Sequence, residues 1–394
     1  MVSERMKGLG TARSVIRELF EYGKLRAAEI GPENVFDFSI GNPSVPAPAA
    51  VNETAIRLLT EQPDLIHAYT SAQGAADARQ RFADSLNRRF GASYTADRLY
   101  LTVGAAASLC CVFNGLTCPG DEFVVFAPYF PEYKVFIEGA GAKMALIPPE
   151  IETFQIDFDA FERALNQHTK GVLVNSPNNP SGVVYSRDTL ERLAAILTKK
   201  SREYGHTIYL ISDEPYREIV YTGVEVPWVP HIYRDTIVCY SFSKSLSLPG
   251  ERIGYVLVPA DITDADDVYA AVAGAGRSLG YVNAPSLFQQ VTSLCCDLTA
   301  DIKVYETNRN LFVSSLREMG YHVAEPGGAF YLFLRTLEPD DVAFSERAKR
   351  QFDLLMAPGV GFGAPGHVRV SYCVQTDTIR RSLPKFQALA DSYQ

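Results

Sequence analysis

The feature that most constrains the fold is an alternation of short apolar runs with polar loops and helix-forming stretches over roughly residues 95–260. Runs that are apolar throughout are typical of strands buried on both faces of a parallel sheet. Strands alternating with helices predict a doubly wound α/β domain with a mostly parallel central sheet. The runs that read as strands are 99–103, 122–126, 170–174, 207–211 and 236–240.

A change of pattern beyond about residue 285 indicates a second, smaller domain. Helical periodicity over 286–318 is followed by a hairpin-like region, which favours an α+β arrangement. At 394 residues the chain is long enough for two domains. We expect an arm and part of the small domain in 1–45, a large ligand-binding domain in 46–285 and the rest of the small domain in 286–394. Both chain ends would then build the smaller domain.

Composition excludes several function classes. The chain is 47% apolar and 21% charged, as in soluble globular proteins, and its net charge of −9 argues against a general nucleic-acid or anionic-membrane surface. The seven cysteines are odd in number and include no C-x-x-C pair, which favours reduced thiols in a cytoplasmic protein over a disulfide framework or a metal site. Residues 1–7 are charged and do not resemble a signal peptide.

One uncharged stretch, residues 99–120, is long enough to span a bilayer. Polar and small residues interrupt it at Thr102, Gly104 and Asn114. These interruptions favour a strand, a turn and a buried helix, so we expect no membrane span.

A lysine with hydroxyls around it follows the run 236–240. In open α/β sheets ligands bind outside the carboxyl ends of the strands, which is where Lys244 falls. A lysine in a dry site can act as a nucleophile or base, and Ser241, Ser243 and Arg252 would suit a phosphate dianion. Together they suggest pyridoxal phosphate held by Lys244 as a Schiff base. The alternative is a solvated basic loop.

Two further strand ends carry candidate residues. Asp213 follows the run 207–211, and a carboxylate there is costly unless paired, so we expect it to face a cation. A structural ion pair is the alternative. Ala105 and Ala106 follow the turn at Gly104 and open a helix whose free amides would bind an anion. Small residues also begin ordinary buried helices.

Other loops leave two interpretations open. Gly41, after a short strand at 35–40, either lets a ligand approach the backbone or simply makes a turn. The aromatic cluster that includes Phe130 and Tyr133 either stacks on a flat ring or packs a rigid turn. The glycine-rich stretch 361–366 matches G-x-G-x-x-G, yet it neither follows a convincing strand nor opens a helix, so we reject a dinucleotide site.

Taken in order, these motifs resemble the class I/II aminotransferases, the fold-type-I pyridoxal-phosphate enzymes related to aspartate aminotransferase. The resemblance covers nearly the whole chain, from Gly41 to Arg369. It implies pyridoxal 5′-phosphate as cofactor and amino acids and 2-oxo acids as substrates. The implied reaction is a ping-pong transfer of an amino group from an L-amino acid.

The resemblance also implies a role for each candidate residue. Lys244 resembles the Schiff-base lysine that moves the substrate proton, Asp213 the partner of the pyridine nitrogen, and Arg369 the clamp on the substrate α-carboxylate, assisted by Gly41. Tyr216 and Asn179, the latter in the loop 175–182, are similar to the residues at the ring hydroxyl. The remaining cofactor-binding positions implied are Ala105, Ala106, Ser241, Ser243 and Arg252 at the phosphate, Phe130 stacked on the ring, and Tyr69 reaching the partner subunit's phosphate.

The resemblance also gives expectations for the oligomeric state, the substrate and the reaction. The position of Tyr69 implies a homodimer with active sites at the subunit interface. Some relatives that take aspartate carry a lysine where this chain has Ala106, and Arg277 lies near the segment from which others supply an arginine, so acidic, aromatic and aliphatic donors all stay open. The same frame could run β-elimination, decarboxylation or racemisation. A non-catalytic effector sensor fits poorly, because no basic recognition helix is evident.

Overall fold

A seven-stranded sheet forms the centre of the larger part of the molecule. The structure is a computed structural model that describes residues 2–11 and 15–394. The strands are β1 (Phe36–Asp37), β2 (Leu99–Thr102), β3 (Glu122–Phe126), β4 (Lys143–Ile147), β5 (Thr169–Asn175), β6 (Tyr209–Asp213), β7 (Thr236–Ser241), β8 (Gly254–Leu257), β9 (Tyr331–Arg335), β10 (Leu354–Leu355), β11 (Ala357–Pro358) and β12 (His367–Ser371).

Helices cover the sheets and join their strands. They are α1 (Glu4–Thr11), α2 (Val15–Ile30), α3 (Ala49–Glu61), α4 (Pro63–Ile66), α5 (Ala76–Phe90), α6 (Ala105–Leu116), α7 (Glu132–Gly139), α8 (Phe158–Ala164), α9 (Arg187–Tyr204), α10 (Phe242–Ser245), α11 (Ala265–Ser278), α12 (Ser286–Leu294), α13 (Lys303–Glu318), α14 (Asp341–Phe352) and α15 (Thr376–Asp391). Single 3-10 turns occur at Pro32–Asn34, Ala96–Arg98, Val229–His231 and Gly359–Phe362.

The central sheet is mostly parallel, as predicted. Its strand order is β2-β8-β7-β6-β5-β3-β4. Strands β7, β6, β5, β3 and β4 run parallel, and β8 pairs antiparallel with both β2 and β7. The carboxyl ends of the parallel strands therefore lie along one edge of the sheet. The last residues of β5, β6 and β7 there are Asn175, Asp213 and Ser241.

Both faces of this sheet are buried, which explains the uninterrupted apolar runs. Phe123 and Val125 of β3 pack into a cluster with α6 and α11, whereas Val124 and Phe126 pack into a cluster with α8 and α9 on the opposite face. Successive side chains of a strand point to opposite faces, so a strand covered on both sides must be apolar at every position. The uncharged stretch 99–120 forms β2 and α6, and no helix within the described residues is long and apolar enough to cross a membrane.

The smaller α+β part joins the two ends of the chain. Strands β11, β12 and β9 form an antiparallel sheet, and α13, α14 and α15 pack with it around a common core. Near the N-terminus, β1 pairs parallel with β10. The predicted strand at 35–40 is thus only two residues long, because its partner strand β10 is also that short. Helix α2 begins at Val15, directly after residues 12–14, which lie outside the described residues.

Candidate active site

A cavity of about 450 Å³ lies at the carboxyl ends of the parallel strands, beside the smaller part of the molecule. It brings together every predicted site residue except Tyr69. Those lining it are Gly41, Ala105, Ala106, Phe130, Asn179, Asp213, Tyr216, Ser241, Ser243, Lys244, Arg252 and Arg369.

Lys244 lies in α10, directly after β7, and is only partly exposed. Its Nζ donates a hydrogen bond to the carbonyl oxygen of Gly41 at 2.8 Å and lies 5.5 Å from the centre of the Phe330 ring. The pKa of Lys244 is lowered to about 8, chiefly by burial; the positive charges of Arg369 and Arg252 also lower it, and Cys373 opposes the shift. Lys244 therefore loses its proton, and becomes a nucleophilic amine, at a lower pH than an ordinary lysine does.

Asp213 ends β6 and is buried, 5% exposed. Its pKa is raised to about 7, chiefly by burial; the hydrogen bond from Tyr133 opposes this shift and the negative charge of Glu214 adds to it. Tyr133 Oη donates to Asp213 Oδ2 at 2.5 Å, whereas Oδ1 is buried without a partner among the described residues. The structural ion pair considered for Asp213 is instead made by its neighbour, because Glu214 pairs with Arg217.

The opposite end of the cavity is rich in hydrogen-bond donors. Helix α6 begins here, so the first amides of the helix, including those of Ala105 and Ala106, have no acceptor within it. Ser241 Oγ and Ser243 Oγ lie 2.6 Å apart in the neighbouring turn. A Cβ at Gly104 would approach Arg252 Nη2 to 2.8 Å, which places the guanidinium directly over this helix end. Amides, hydroxyls and a guanidinium form a site for a dianion.

Arg369, on β12, is held rigidly in the wall formed by the smaller part of the molecule and is 3% exposed. Its Nη1 donates to Asn179 Oδ1 at 3.0 Å and its Nη2 donates to the carbonyl oxygen of Ser39. The guanidinium stacks on Tyr331 and Phe362, with its carbon 4.7 and 4.9 Å from the ring centres. The planar fork is therefore oriented before any carboxylate arrives.

Two buried tyrosines, Tyr216 and Tyr331, also line the cavity. The hydroxyls of Tyr216 and Tyr331 are 3.0 Å apart. A Cβ at Gly41 would lie 1.9 Å from Tyr331 Oη, so only glycine fits at that position. The group that approaches the Gly41 backbone is the side chain of Tyr331 and not a ligand. Phe130 lines the cavity and meets Tyr133 edge-on at 5.6 Å.

Two residues considered from the sequence lie away from this cavity. Tyr69 is fully exposed, at 101%, on the loop after α4. Arg277 is exposed near the end of α11 and does not belong to the lining. Any role for either residue in catalysis requires a second subunit.

Several lining residues were not predicted from the sequence. They are Ile16, Arg17 and Phe20 of α2, with Leu109, Asn175 and Tyr331. Helix α2 is fixed by buried Leu19 and by the ion pair between Arg26 Nε and Asp353 Oδ1 at 2.9 Å, so its first turns cover the cavity. The hydrophobic spacing of α2 indicates a helix, but nothing local in the sequence shows which cavity it faces.

The donor set fits pyridoxal phosphate. An orphaned carboxylate oxygen can accept from a protonated ring nitrogen, and a lysine of lowered pKa can bond the aldehyde carbon. The dianion site at α6 suits the phosphate, and the aromatic wall suits the ring.

Comparison with known proteins agrees with this chemistry. Residues 33–386 match the sequence profile described as aminotransferase class I and II. The chain is 30% identical to an aspartate aminotransferase from Thermotoga maritima over the full length of both chains. It is 30% identical to an aspartate/prephenate aminotransferase from Thermus thermophilus, with 88% of each chain covered.

Solved structures resemble the whole chain. An aminotransferase from Eubacterium rectale is 55% identical, with a TM-score of 0.98, covering 100% of this chain and 99% of the other. An aspartate aminotransferase from Thermus thermophilus with maleate is 26% identical, with a TM-score of 0.86 and 99% of both chains covered. The chain therefore belongs to the class I and II aminotransferases, pyridoxal-phosphate-dependent enzymes of fold type I.

Proposed function

We propose that this enzyme moves the amino group of an L-amino acid to a 2-oxo acid in two half-reactions, with Lys244, Asp213 and Arg369 as its working residues. One observation carries the proposal. A lysine with a pKa near 8, a buried carboxylate with an orphaned oxygen and a preoriented arginine line the same cavity.

In this proposal each residue has a separate task. Bound pyridoxal phosphate supplies an aldehyde that condenses with amines and a ring that withdraws electrons from the substrate Cα. Arg369 binds the substrate α-carboxylate through two parallel hydrogen bonds. Lys244 Nζ, held near Gly41, would take the proton from the substrate Cα and deliver it to the carbon of the cofactor that carried the aldehyde. Asp213 would hold the protonated ring nitrogen, and Tyr216 and Asn179 would hold the ring hydroxyl.

We infer that the preferred donor has an acidic side chain. The named relatives include aspartate aminotransferases, and the Thermus thermophilus structure holds maleate, a dicarboxylate. This chain lacks a cation at Ala106, but α2 places Arg17 on the cavity lining, where a distal carboxylate could pair with it. Arg17 belongs to the same chain as the cavity, whereas Arg277 would have to come from a partner subunit.

A single-turnover titration tests both statements. Holoenzyme is mixed with one L-amino acid at a time and no 2-oxo acid, and the absorbance is recorded. We expect the pyridoxal band to convert to a stable pyridoxamine band, fastest with aspartate or glutamate. Arg17→Gln should slow aspartate about tenfold and leave alanine unchanged, because a charge-assisted hydrogen bond is lost. The control is Arg277→Gln.

Other outcomes have definite meanings. Release of pyruvate, ammonia or carbon dioxide with no band conversion would make the enzyme a lyase or decarboxylase. Aromatic donors reacting fastest would refute the acidic preference. If Arg277→Gln rather than Arg17→Gln lowers the aspartate rate, a partner subunit supplies the cation.

We further propose a homodimer whose interface covers the surface around Tyr69. Large apolar side chains are concentrated there: Ile56 is 64% exposed, Leu65 54% and Leu59 44%. Contiguous apolar surface of this kind marks an interface. Tyr69 would then reach the phosphate site of the partner. Sedimentation equilibrium should give twice the monomer mass of 43.4 kDa.

We also propose that the enzyme is cytoplasmic. All seven cysteines are free thiols in the structure, including the exposed Cys118. Free thiols persist in a reducing compartment. Cell fractionation should recover the enzyme with the cytoplasmic fraction.

A further inference from the structure

Tyr133 occupies a buried position between α7 and the end of β6. It lies in the first turn of α7 and is 2% exposed. Its hydroxyl reaches 80 positions along the chain to donate to Asp213 Oδ2 at 2.5 Å. Both residues also line the cavity, so the pair lies at the surface where the cofactor ring would bind.

The two oxygens of Asp213 have different surroundings. Oδ2 accepts the tyrosine hydroxyl, whereas Oδ1 is buried and has no donor among the residues that the structure describes. An unsatisfied buried carboxylate oxygen costs free energy unless a ligand completes it. The ligand group that suits it is a positively charged N–H.

The neighbours of Asp213 do not replace this tyrosine. Asn175 Nδ2 donates to the backbone oxygen of Asp213 and not to its carboxylate. Glu214 is engaged by Ser212 and Arg217, and its negative charge opposes ionisation of Asp213. In the described chain, Tyr133 is the only recorded hydrogen-bond donor to the Asp213 carboxylate.

We propose that Tyr133 is a positioning residue for the cofactor: its hydroxyl favours the ionised form of Asp213 and turns Oδ1 toward the pyridine nitrogen. This inference rests on the proposed role of Asp213. It adds that the hydrogen bond from Tyr133 to Asp213 determines how tightly the site binds a protonated ring. Tyr133 itself would contact neither the ring nitrogen nor the substrate Cα. In agreement with this role, the hydrogen bond from Tyr133 lowers the pKa of Asp213.

The test is a binding cycle that needs no turnover. The apoprotein is titrated with pyridoxamine phosphate, which cannot bond covalently to Lys244, and with its analogue carrying CH in place of the ring nitrogen. Tyr133→Phe keeps the ring and removes only the hydroxyl. The matched control is Tyr233→Phe, which removes a buried hydroxyl that donates to Ile208 O at 2.8 Å, just before β6.

We expect Tyr133→Phe to raise the dissociation constant of pyridoxamine phosphate about tenfold, as for a hydrogen bond to a charged group, and that of the analogue less than about twofold. Tyr233→Phe should change neither. In an Asp213→Asn background, Tyr133→Phe should no longer alter the preference for pyridoxamine phosphate over the analogue.

Equal weakening of both ligands by Tyr133→Phe would overturn the proposal, since it would reveal a packing role. No weakening of either would overturn it as well. The wild type separates this failure from that of the proposed function. If it binds the two ligands equally well, then the role of Asp213 itself is wrong; if it prefers pyridoxamine phosphate, only the role of Tyr133 is in question.

Discussion

The two ends of the cavity suit groups of opposite charge, and they differ in how many protein groups would bind each one. The end at α6 and Arg252 collects many donors for a dianion: helix amides, two serine hydroxyls and a guanidinium. The end at β6 presents one carboxylate, supported by one recorded hydrogen bond from Tyr133. The first end is redundant and the second is not.

This difference determines how each end responds to substitution. Loss of one of several donors leaves the dianion partly satisfied, and the remaining donors compensate. Asp213 is the only acidic residue among the described residues that line the cavity. Its loss therefore leaves no negative charge for the ring nitrogen. Binding and catalysis should therefore tolerate changes at the α6 end far better than at the β6 end.

The largest effect is expected for Asp213→Ala. Removing a preorganised charge that acts at the reacting centre lowers kcat by about 10²–10³-fold in comparable sites. Steady-state kcat with the best donor from the amino-acid panel measures it, and Asp188→Asn, an exposed aspartate in the first turn of α9, is the control. A kcat within twofold of wild type would show that Asp213 does not serve the ring nitrogen.

Smaller effects are expected at the α6 end. Arg252→Ala should weaken pyridoxamine phosphate binding by about tenfold, and Ser243→Ala by about threefold, because Ser241 and the helix amides remain. Apoprotein titration measures both, with the exposed Arg192→Ala as control. If Ser243→Ala weakens binding as strongly as Arg252→Ala, then the redundancy inferred for this end is wrong.

Much of the fold could be predicted from the sequence because burial on both faces leaves a clear pattern. Strands β3, β5, β6 and β7 appear as apolar runs, and their polar ends identify Asp213 and Lys244. Strand β4 was not predicted, since it lies at the sheet edge and is partly exposed. Strand β8 was not predicted either, because it has only four residues and follows directly on the turn-rich segment 246–253.

The contacts that organise the site could not be predicted in the same way. Tyr133 meets Asp213 across 80 positions, and Tyr216 meets Tyr331 across 115. These pairs form only when distant elements pack together, so no local spacing reveals them. The position of Arg17 at the cavity could not be predicted for the same reason. The spacing of apolar residues indicates its helix, but other segments of the chain build the cavity.

The most direct test of the account is to trap and locate the covalent attachment of pyridoxal phosphate as a function of pH. Apoprotein is mixed with the cofactor at each pH, reduced with borohydride after a short interval, and mapped by peptide mass spectrometry. Because burial lowers the pKa of Lys244 to about 8, the neutral amine becomes abundant as pH rises through that value. We predict a label on Lys244 whose initial rate rises with a midpoint near pH 8. A label on another lysine, or a midpoint near the ordinary lysine value of about 10.4, would contradict the account.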